Sequence, residues 1–400
     1  MQVKPAAERA LRRGHPWLFN NSIRRQSHEG QVGDLAVIFD HRDRFLAVGL
    51  YDPDSPIRVR VLHHGRPATI NDGWFRDRLS AAFNLRRDLF ESNTTGYRLL
   101  HGENDGLPGL VIDRYHDDCA VRLDTAAWTP RLGQILPIVL ELMPSERLVL
   151  RLRRRMHTSP TSLHGLSDGQ TLFGPANVGP VIFQENGLAF EADLVRGQKT
   201  GFFLDQRDNR LRLEKHINQD GSLRRVLNVF AYTGAFAVYA ARGGADQLTN
   251  VDASEVALAA AERNLLLNKD QWAIPSTRHE AIAGDAFAVM QMLADEGRHF
   301  DAIIVDPPSF ARSSDEIGRA KGAYRRLTQL ALPLLRPHGL LLLCSCSSRV
   351  DGETFFVLVK QAAKEVGRPL VELARTGHPA DHPIGFPEGA YLKCMFASAP

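Results

Sequence analysis

The sequence predicts an α/β protein: a doubly wound, mostly parallel sheet in the C-terminal half, preceded by a small β barrel and a small α+β layer. Three observations predict it. From residue 226 onward, short apolar runs alternate with helix-forming stretches, the pattern of strands covered on both faces. Residues 226–252, VLNVFAYTGAFAVYAARGGADQLTNVD, read as strand, glycine turn, helix, strand and terminal acid. Residues 1–72 instead give short alternating runs between Gly, Pro and Asp, the signature of a small barrel. The expected segments are 1–72, 73–190 and 191–400.

At 400 residues the chain is long enough for two or three domains. Charged residues make up 24% and hydrophobic residues 44%, a soluble globular profile. The net charge of +3 is compatible with nucleic acid without demanding it. Arginines cluster at Arg12–Arg13, Arg24–Arg25 and 151–155. Singly each cluster reads as a solvated face; together they lean toward a polyanionic partner. The four cysteines, Cys119, Cys344, Cys346 and Cys394, are too few and too uneven for a disulfide framework. No apolar run approaches the ~20 residues of a membrane span, and the N-terminus lacks an apolar signal core. A reducing cytoplasm, with no membrane, is expected.

Barrel strands are expected at 31–39, 45–51 and 57–62. Before them, residues 9–19 interleave arginines with Trp17 and Phe19. Basic and aromatic side chains together suit phosphate contact and base stacking, which makes Arg12, Arg13, Trp17, Arg24 and Arg25 candidate nucleic-acid contacts. The aromatics could equally fill the barrel core. A helix at 73–88 opens the middle segment. Strands follow at 97–100 and 110–112 around the loop 101–109, then a strand at 119–123, a helix at 131–142 and a strand at 148–152. Glu103 and Asp105 read as turn residues rather than an acid/base pair. Residues 159–179 read as a connection, and 181–183 with 188–195 as a hairpin.

Residues 197–210, GQKTGFFLDQRDNR, bring Phe203, Asp205, Gln206 and Arg207 just ahead of the first sheet strand, where they could close over a cofactor. The alternative is a helix start capped by Thr200. Strands are then expected at 226–230, 247–251, 278–283, 301–305 and 340–344, with the last two near 370–374 and 392–397. The helices between them are 234–241, 255–268 capped by Ser254, 286–294, 319–335 and 352–366. Ligands of such sheets bind beyond the strands' carboxyl ends. Asn228, Asp252, Asp285, Asp306 and Cys346 all fall at or near those ends.

A dinucleotide site needs G-x-G-x-x-G, because a pyrophosphate lies against the backbone. Here the turn has only Gly234, with Ala231 and Tyr232 in the earlier small-residue positions. That favours an adenosine cofactor without phosphate, such as S-adenosylmethionine, held by Asn228, Phe230, Tyr232, Thr233, Gly234 and Asp252. Asp252 would take the ribose diol and Asp285 the adenine edge. An N-cap role is the alternative for both acids, although Ser254 already serves the helix after Asp252. Asp306-Pro307-Pro308 is a stiff acidic corner suited to gripping a planar base. A Cys346 thiolate could add to C6 of a pyrimidine and make C5 electron-rich enough to take a methyl group. Cys344, inside the apolar strand, reads as core. No cluster has metal-ligand spacing.

Several stretches also resemble one family in that family's order: HPWLF (15–19), RLLHGENDGLPGLVIDRY (98–115), GQKTGFFLDQRDNR, LNVFAYTGAFAV, VDAS, DPPSF, CSCS and FPEGAYLK (386–393). The chain resembles the bacterial cytosine-C5 methyltransferases of 23S ribosomal RNA that carry an N-terminal PUA domain. The resemblance implies a PUA-like barrel, a central α+β domain and a Rossmann-like class I methyltransferase domain. It also implies S-adenosylmethionine as cofactor, Cys346 as nucleophile, and Phe203, Asp205, Gln206 and Arg207 on the cofactor side. The implied partner is 23S ribosomal RNA or a large-subunit precursor particle, with a homodimer as a further expectation. Ser309 stands where the family often has lysine, and residues 151–179 follow the family poorly. Related enzymes that methylate guanine share the Asp-Pro-Pro corner but lack the cysteine, so Cys346 favours cytosine C5. The alternatives are a guanine-N ribosomal RNA methyltransferase and a non-catalytic RNA-binding assembly factor.

Overall fold

A computed structural model describes residues 1–153, 156, 163–176, 179–273, 275–311 and 313–400. The chain divides into two compact units. The first comprises Met1–Gln184, Ala192–Leu204 and Ala380–Phe386; the second comprises Glu185–Glu191, Asp205–Pro379 and Pro387–Pro400.

The first unit opens with β1 (Gln2–Val3), α1 (Pro5–Arg12), β2 (Trp17–Phe19), β3 (Ile23–Arg25), β4 (Leu35–Phe39), β5 (Phe45–Tyr51) and β6 (Ile57–His64). The strands form one six-stranded sheet in the order β2-β6-β5-β4-β1-β3. Its core holds Val3, Leu11, Leu18, Ile38, Ala47 and Val59. Helix α1 lies in the basic stretch that carried no helix expectation. Pro5 sits in its first turn, where a missing N–H is harmless, and Leu11 is its buried anchor.

Next come α2 (Asp72–Asn84), α3 (Arg87–Glu91), β7 (Gly96–His101), β8 (Leu110–Tyr115), β9 (Asp118–Leu123), α4 (Leu132–Leu142), β10 (Arg147–Leu152) and β11 (Thr171–Phe173). Asn71 caps α2 by accepting from Trp74 N, and Phe75, Leu79, Ala82 and Phe83 are its buried face. The five strands run β11-β10-β9-β8-β7. Strand β11 lies within the stretch expected to be a plain connection and pairs antiparallel with β10; residues 157–162, 177 and 178 of that region are outside the described residues.

The two sheets share one core, because Leu50 of β5 and Leu62 of β6 pack with Phe75, Leu79 and Trp128. Polar ties reinforce it: Arg60 pairs with Glu103, and Thr125 donates to Asp52 at 2.5 Å. Glu103 and Asp105 are structural, Asp105 pairing with Arg86 at 2.7 Å. Thr200 caps no helix; it is buried and donates to Asp113 at 2.5 Å, and Asp113 also takes Arg98 at 2.7 Å. Asp381 belongs to the same unit and accepts from Arg98 N at 2.9 Å.

A hairpin, β12 (Val181–Glu185) and β13 (Leu188–Ala192), precedes α5 (Arg207–Asp220). The second unit continues with β14 (Arg225–Val229), α6 (Ala235–Gly243), β15 (Gln247–Asp252), α7 (Glu255–Leu267), β16 (Arg278–Ala283), α8 (Ala286–Asp295) and β17 (Phe300–Val305). It finishes with α9 (Ile317–Leu334), β18 (Leu335–Ser345), α10 (Gly352–Glu365), β19 (Val371–Thr376) and β20 (Lys393–Ala399). The sheet order is β16-β15-β14-β17-β18-β20-β19. Strands β16 to β18 are parallel; β20 runs antiparallel between β18 and β19. Helices cover buried strand faces such as Leu227, Val229, Ile303, Val305, Leu341 and Leu343. The order reverses between β14 and β17, so their carboxyl ends flank the switch point where such sheets bind ligands.

Candidate cofactor and catalytic site

The turn after β14 is the first half of the site. Phe230, Tyr232 and Gly234 have φ of 60°, 47° and 71°. Left-handed backbone at two non-glycine residues costs energy, and such strain gathers where a ligand must be met by backbone. Gly234 is required twice over: a Cβ there would lie 2.6 Å from Cβ of Ala261 on α7. Neighbouring side chains hold the turn in shape. Tyr232 N donates to Asp252 Oδ2 at 2.8 Å, and Asn264 Nδ2 donates to Thr233 O at 2.9 Å.

Asp252 also accepts from Ser254 N through Oδ1 at 2.9 Å. A carboxylate has about four acceptor positions, so the half-buried Asp252 can hold the turn and still receive a diol. Asn228 is buried on β14 and donates to Asn250, its register partner, at 2.9 Å. It supports the turn from within the sheet. Asp285 is the N-cap of α8, Oδ1 accepting from Ala288 N at 3.0 Å. The N-cap alternative is therefore what this acid does, and Oδ2 is the oxygen it can offer a ligand.

The second half lies at the ends of β17 and β18. Asp306 leaves β17 half-buried, its N–H reaching Val229 O at 3.4 Å. Next door, Cys346 leaves β18 half-buried, with Sγ 3.7 Å from Pro307 O. Flanking serines fix that strand end: Ser345 Oγ bonds Tyr324 Oη at 2.8 Å, and Ser347 Oγ donates to Ala311 O at 3.1 Å. Burial pushes the Tyr324 hydroxyl up, and the neighbouring Cys346 and Asp306 charges push the same way. Cys344 and Cys394 face each other across β18 and β20. Both are fully buried and burial raises both thiols, which keeps them unreactive.

Lys393, missed in the sequence, opens β20 and is 6% exposed. Its Nζ donates to Ser347 O and Val350 O. Burial holds its pKa down to about 8, with Cys346 the strongest opposing influence. The available signal was a lone lysine heading an otherwise apolar strand.

Of the remaining candidates, Gln206 lies beside Cys394 of β20, with Sγ 3.8 Å from its Oε1. Asp205 is buried and accepts from Tyr391 Oη at 2.8 Å. Gln206 accepts from Asn209 at 2.6 Å. Arg207 is buried, 3.4 Å from Asp208. Phe203 belongs to the first unit, with Lys199 Nζ 4.3 Å from its ring centroid. In the N-terminal sheet Arg13 and Arg24 are exposed, Arg12 pairs with Asp40 at 2.8 Å, and Arg25 lies 3.9 Å from Asp43. Trp17 is half-buried; Nε1 donates to Glu103 at 2.8 Å and its ring meets Phe386 edge-on at 5.1 Å. Neither aromatic fills the barrel core as the alternative had it: Trp17 is not among the core residues, its Nε1 and ring meeting Glu103 and Phe386 instead, and Phe19 is exposed. Arg154 and Arg155 lie outside the described residues.

Among the described residues no helix is long and apolar enough to cross a membrane. Residues 170–396 match the S-adenosylmethionine-dependent methyltransferase family, and residues 1–64 match the PUA-like domain. The chain is 44% identical over 401 residues to a ribosomal RNA large subunit methyltransferase of Deinococcus radiodurans, covering 99% of this chain and 96% of the relative. It is 37% identical over 406 residues to ribosomal RNA large subunit methyltransferase I of Shewanella denitrificans, covering 99% and 98%. A Streptococcus mutans protein described as a SAM-dependent methyltransferase has the same fold, with a TM-score of 0.81 at 22% identity over 100% of this chain and 99% of its own. A methyltransferase solved with SAH gives 0.83 at 23% identity over the same shares. The fold is thus a Rossmann-like α/β methyltransferase fold with an N-terminal PUA-like domain, and its cofactor is S-adenosylmethionine. The chain belongs to the S-adenosylmethionine-dependent methyltransferases, in the family of the large-subunit ribosomal RNA methyltransferases.

Proposed function

We propose that this protein methylates C5 of a cytosine in large-subunit (23S) ribosomal RNA through a covalent bond between Cys346 Sγ and C6 of the base. One observation carries the reading: a half-exposed cysteine sulfur 3.7 Å from Pro307 O, at the strand end beside the acidic Asp306-Pro307-Pro308 corner. A buried structural thiol needs no such neighbour, whereas a nucleophile needs access and a fixed base beside it.

The donor set fits the cofactor, since one acid and a backbone turn suit a diol and an adenine without a pyrophosphate. When bound, S-adenosylmethionine supplies an electrophilic methyl group. Asp252 would accept from the ribose hydroxyls, Asp285 would meet the adenine edge through Oδ2, and Asp205, Gln206 and Arg207 would complete the cofactor side. Phe230, Tyr232, Thr233 and Gly234 present backbone. Asp306 accepts from the cytosine exocyclic amine and fixes the ring. The Cys346 thiolate forms the S–C6 bond, and the C5–C6 π pair moves to C5, which takes the methyl. Loss of the C5 proton to a base then returns those electrons to the ring and expels the thiolate. Arg13, Arg24 and Arg25 contact RNA phosphates. A reducing cytoplasm keeps Cys346 as a thiol.

The test is Cys346→Ala with ribosomal RNA as substrate. Methyl transfer is lost while S-adenosylmethionine binding, measured by calorimetry, persists. Mass spectrometry of RNA methylated by the wild type finds the label on cytosine C5. Retained turnover in the variant, or label on guanine, overturns the reading.

A further inference from the structure

Lys393 lies in β20 directly across from Ser345, the residue before Cys346. Its side chain crosses under the end of β18, and Nζ ties Ser347 O and Val350 O together on the turn that follows the sulfur. These partners are neutral carbonyls. A buried ammonium without an anion is costly, so the surroundings must supply one.

Among the described residues, several charged and titratable groups act on the pair. Asp351 and Cys394 face Lys393 together with Cys346; Tyr324 from α9 faces Cys346 and Asp306. Burial raises the Cys394 thiol and the Tyr324 hydroxyl, so both are neutral near pH 7. Asp351 is exposed and its carboxylate caps α10, accepting from Thr354 N at 2.9 Å and Thr354 Oγ1 at 2.6 Å. Cys346 is left as the group whose negative charge the ammonium can favour.

We propose that Lys393 is a positioning residue that holds Cys346 as a thiolate and fixes the turn behind it. The inference rests on the reading of Cys346 as the nucleophile. The interaction is mutual: the ammonium favours the thiolate as much as the thiolate favours the ammonium. It also gives a role to a lysine in a strand where every other side chain but one is buried. Because the sulfur acts on C6 and Lys393 acts through the sulfur, the lysine needs no contact with substrate.

The test is the pH profile of Cys346 alkylation by iodoacetamide in the full chain without RNA, read by site-resolved mass spectrometry. In the wild type the half-point lies below the ordinary thiol value of about 8.5. Lys393→Met moves it up by at least about one pH unit, slowing alkylation near pH 7 about tenfold; Lys393→Arg restores it. Binding of S-adenosylmethionine, unchanged across the variants, shows that the fold is intact. A wild-type half-point at or above 8.5 overturns the proposal even if Lys393→Met does not fold. An unchanged profile in a folded Lys393→Met overturns it equally. The two readings fail separately: turnover by Cys346→Ala removes the nucleophile while leaving the alkylation profile, and the pairing it reports, in place.

Discussion

Cys346 and Pro307 are 39 residues apart in sequence, yet the sulfur of one points at the carbonyl oxygen of the other from 3.7 Å. Neighbouring parallel strands bring them together: β17 ends at Val305, opposite Leu343, and β18 ends shortly beyond at Ser345. On the proposed mechanism a base gripped by the acidic corner is held beside the thiol, and the corner can be tested apart from it.

Asp306→Asn keeps the volume of the side chain and removes its charge. A hydrogen bond to a charged partner is worth about 1.5–3 kcal/mol, so kcat/KM for RNA falls about 10- to 100-fold. Steady-state kinetics against RNA, with calorimetry for the cofactor, checks that the loss lies in RNA turnover rather than in cofactor affinity.

Asp252→Ala removes both the proposed diol acceptor and the anchor of Tyr232 N and Ser254 N. Each lost partner of a partly buried donor costs about 1–3 kcal/mol. Cofactor affinity drops at least about 30-fold, measured by calorimetry, and the Asn variant lies between. Equal affinity in the Ala variant would show that the turn binds without its acid.

Gly234→Ala meets Ala261 at 2.6 Å with the backbone at φ 71°. Strain and overpacking together cost about 2–4 kcal/mol. Urea unfolding should show that loss, accompanied by weaker cofactor binding because the turn must move to relieve the clash.

Lys393 gives a pH signature in stability. Its folded value of about 8 lies below the ordinary 10.5. Between those values the unfolded chain binds the extra proton, so the group's contribution to stability rises with pH across that window and is least favourable below it. Urea melts of wild type and Lys393→Met at pH 7, 8.5 and 10 should show the wild type gaining on the variant as pH rises. A constant difference contradicts the buried ammonium.

Much of this was readable in the sequence where the signal is local. The apolar runs at 301–305 and 340–344 cannot sit anywhere but inside a sheet, and the 226–252 unit carries its own turn and acid. Pairwise facts were not readable. Trp17 has the same letters around it whether it stacks on a base or donates to Glu103, which is 86 residues away. Thr200 looked like a helix cap because Ser and Thr cap helices by local bonds, yet its partner is Asp113. Asp285 capped where a ligand role was preferred, since nothing in the spacing separates the two. Lys393 had meaning only once β20 was known to lie against β18.

That placement of β20 has a consequence for synthesis. In chain order β20 follows every other strand of its sheet, yet it takes an interior position between β18 and β19. Until it arrives, β19 has no hydrogen-bonding neighbour and the far side of β18 is an open edge, the kind of surface that recruits other chains. A nascent polypeptide complete through β19 thus carries a finished β14–α6 turn beside an unzipped flank, which closes only when residues 393–399 slot in.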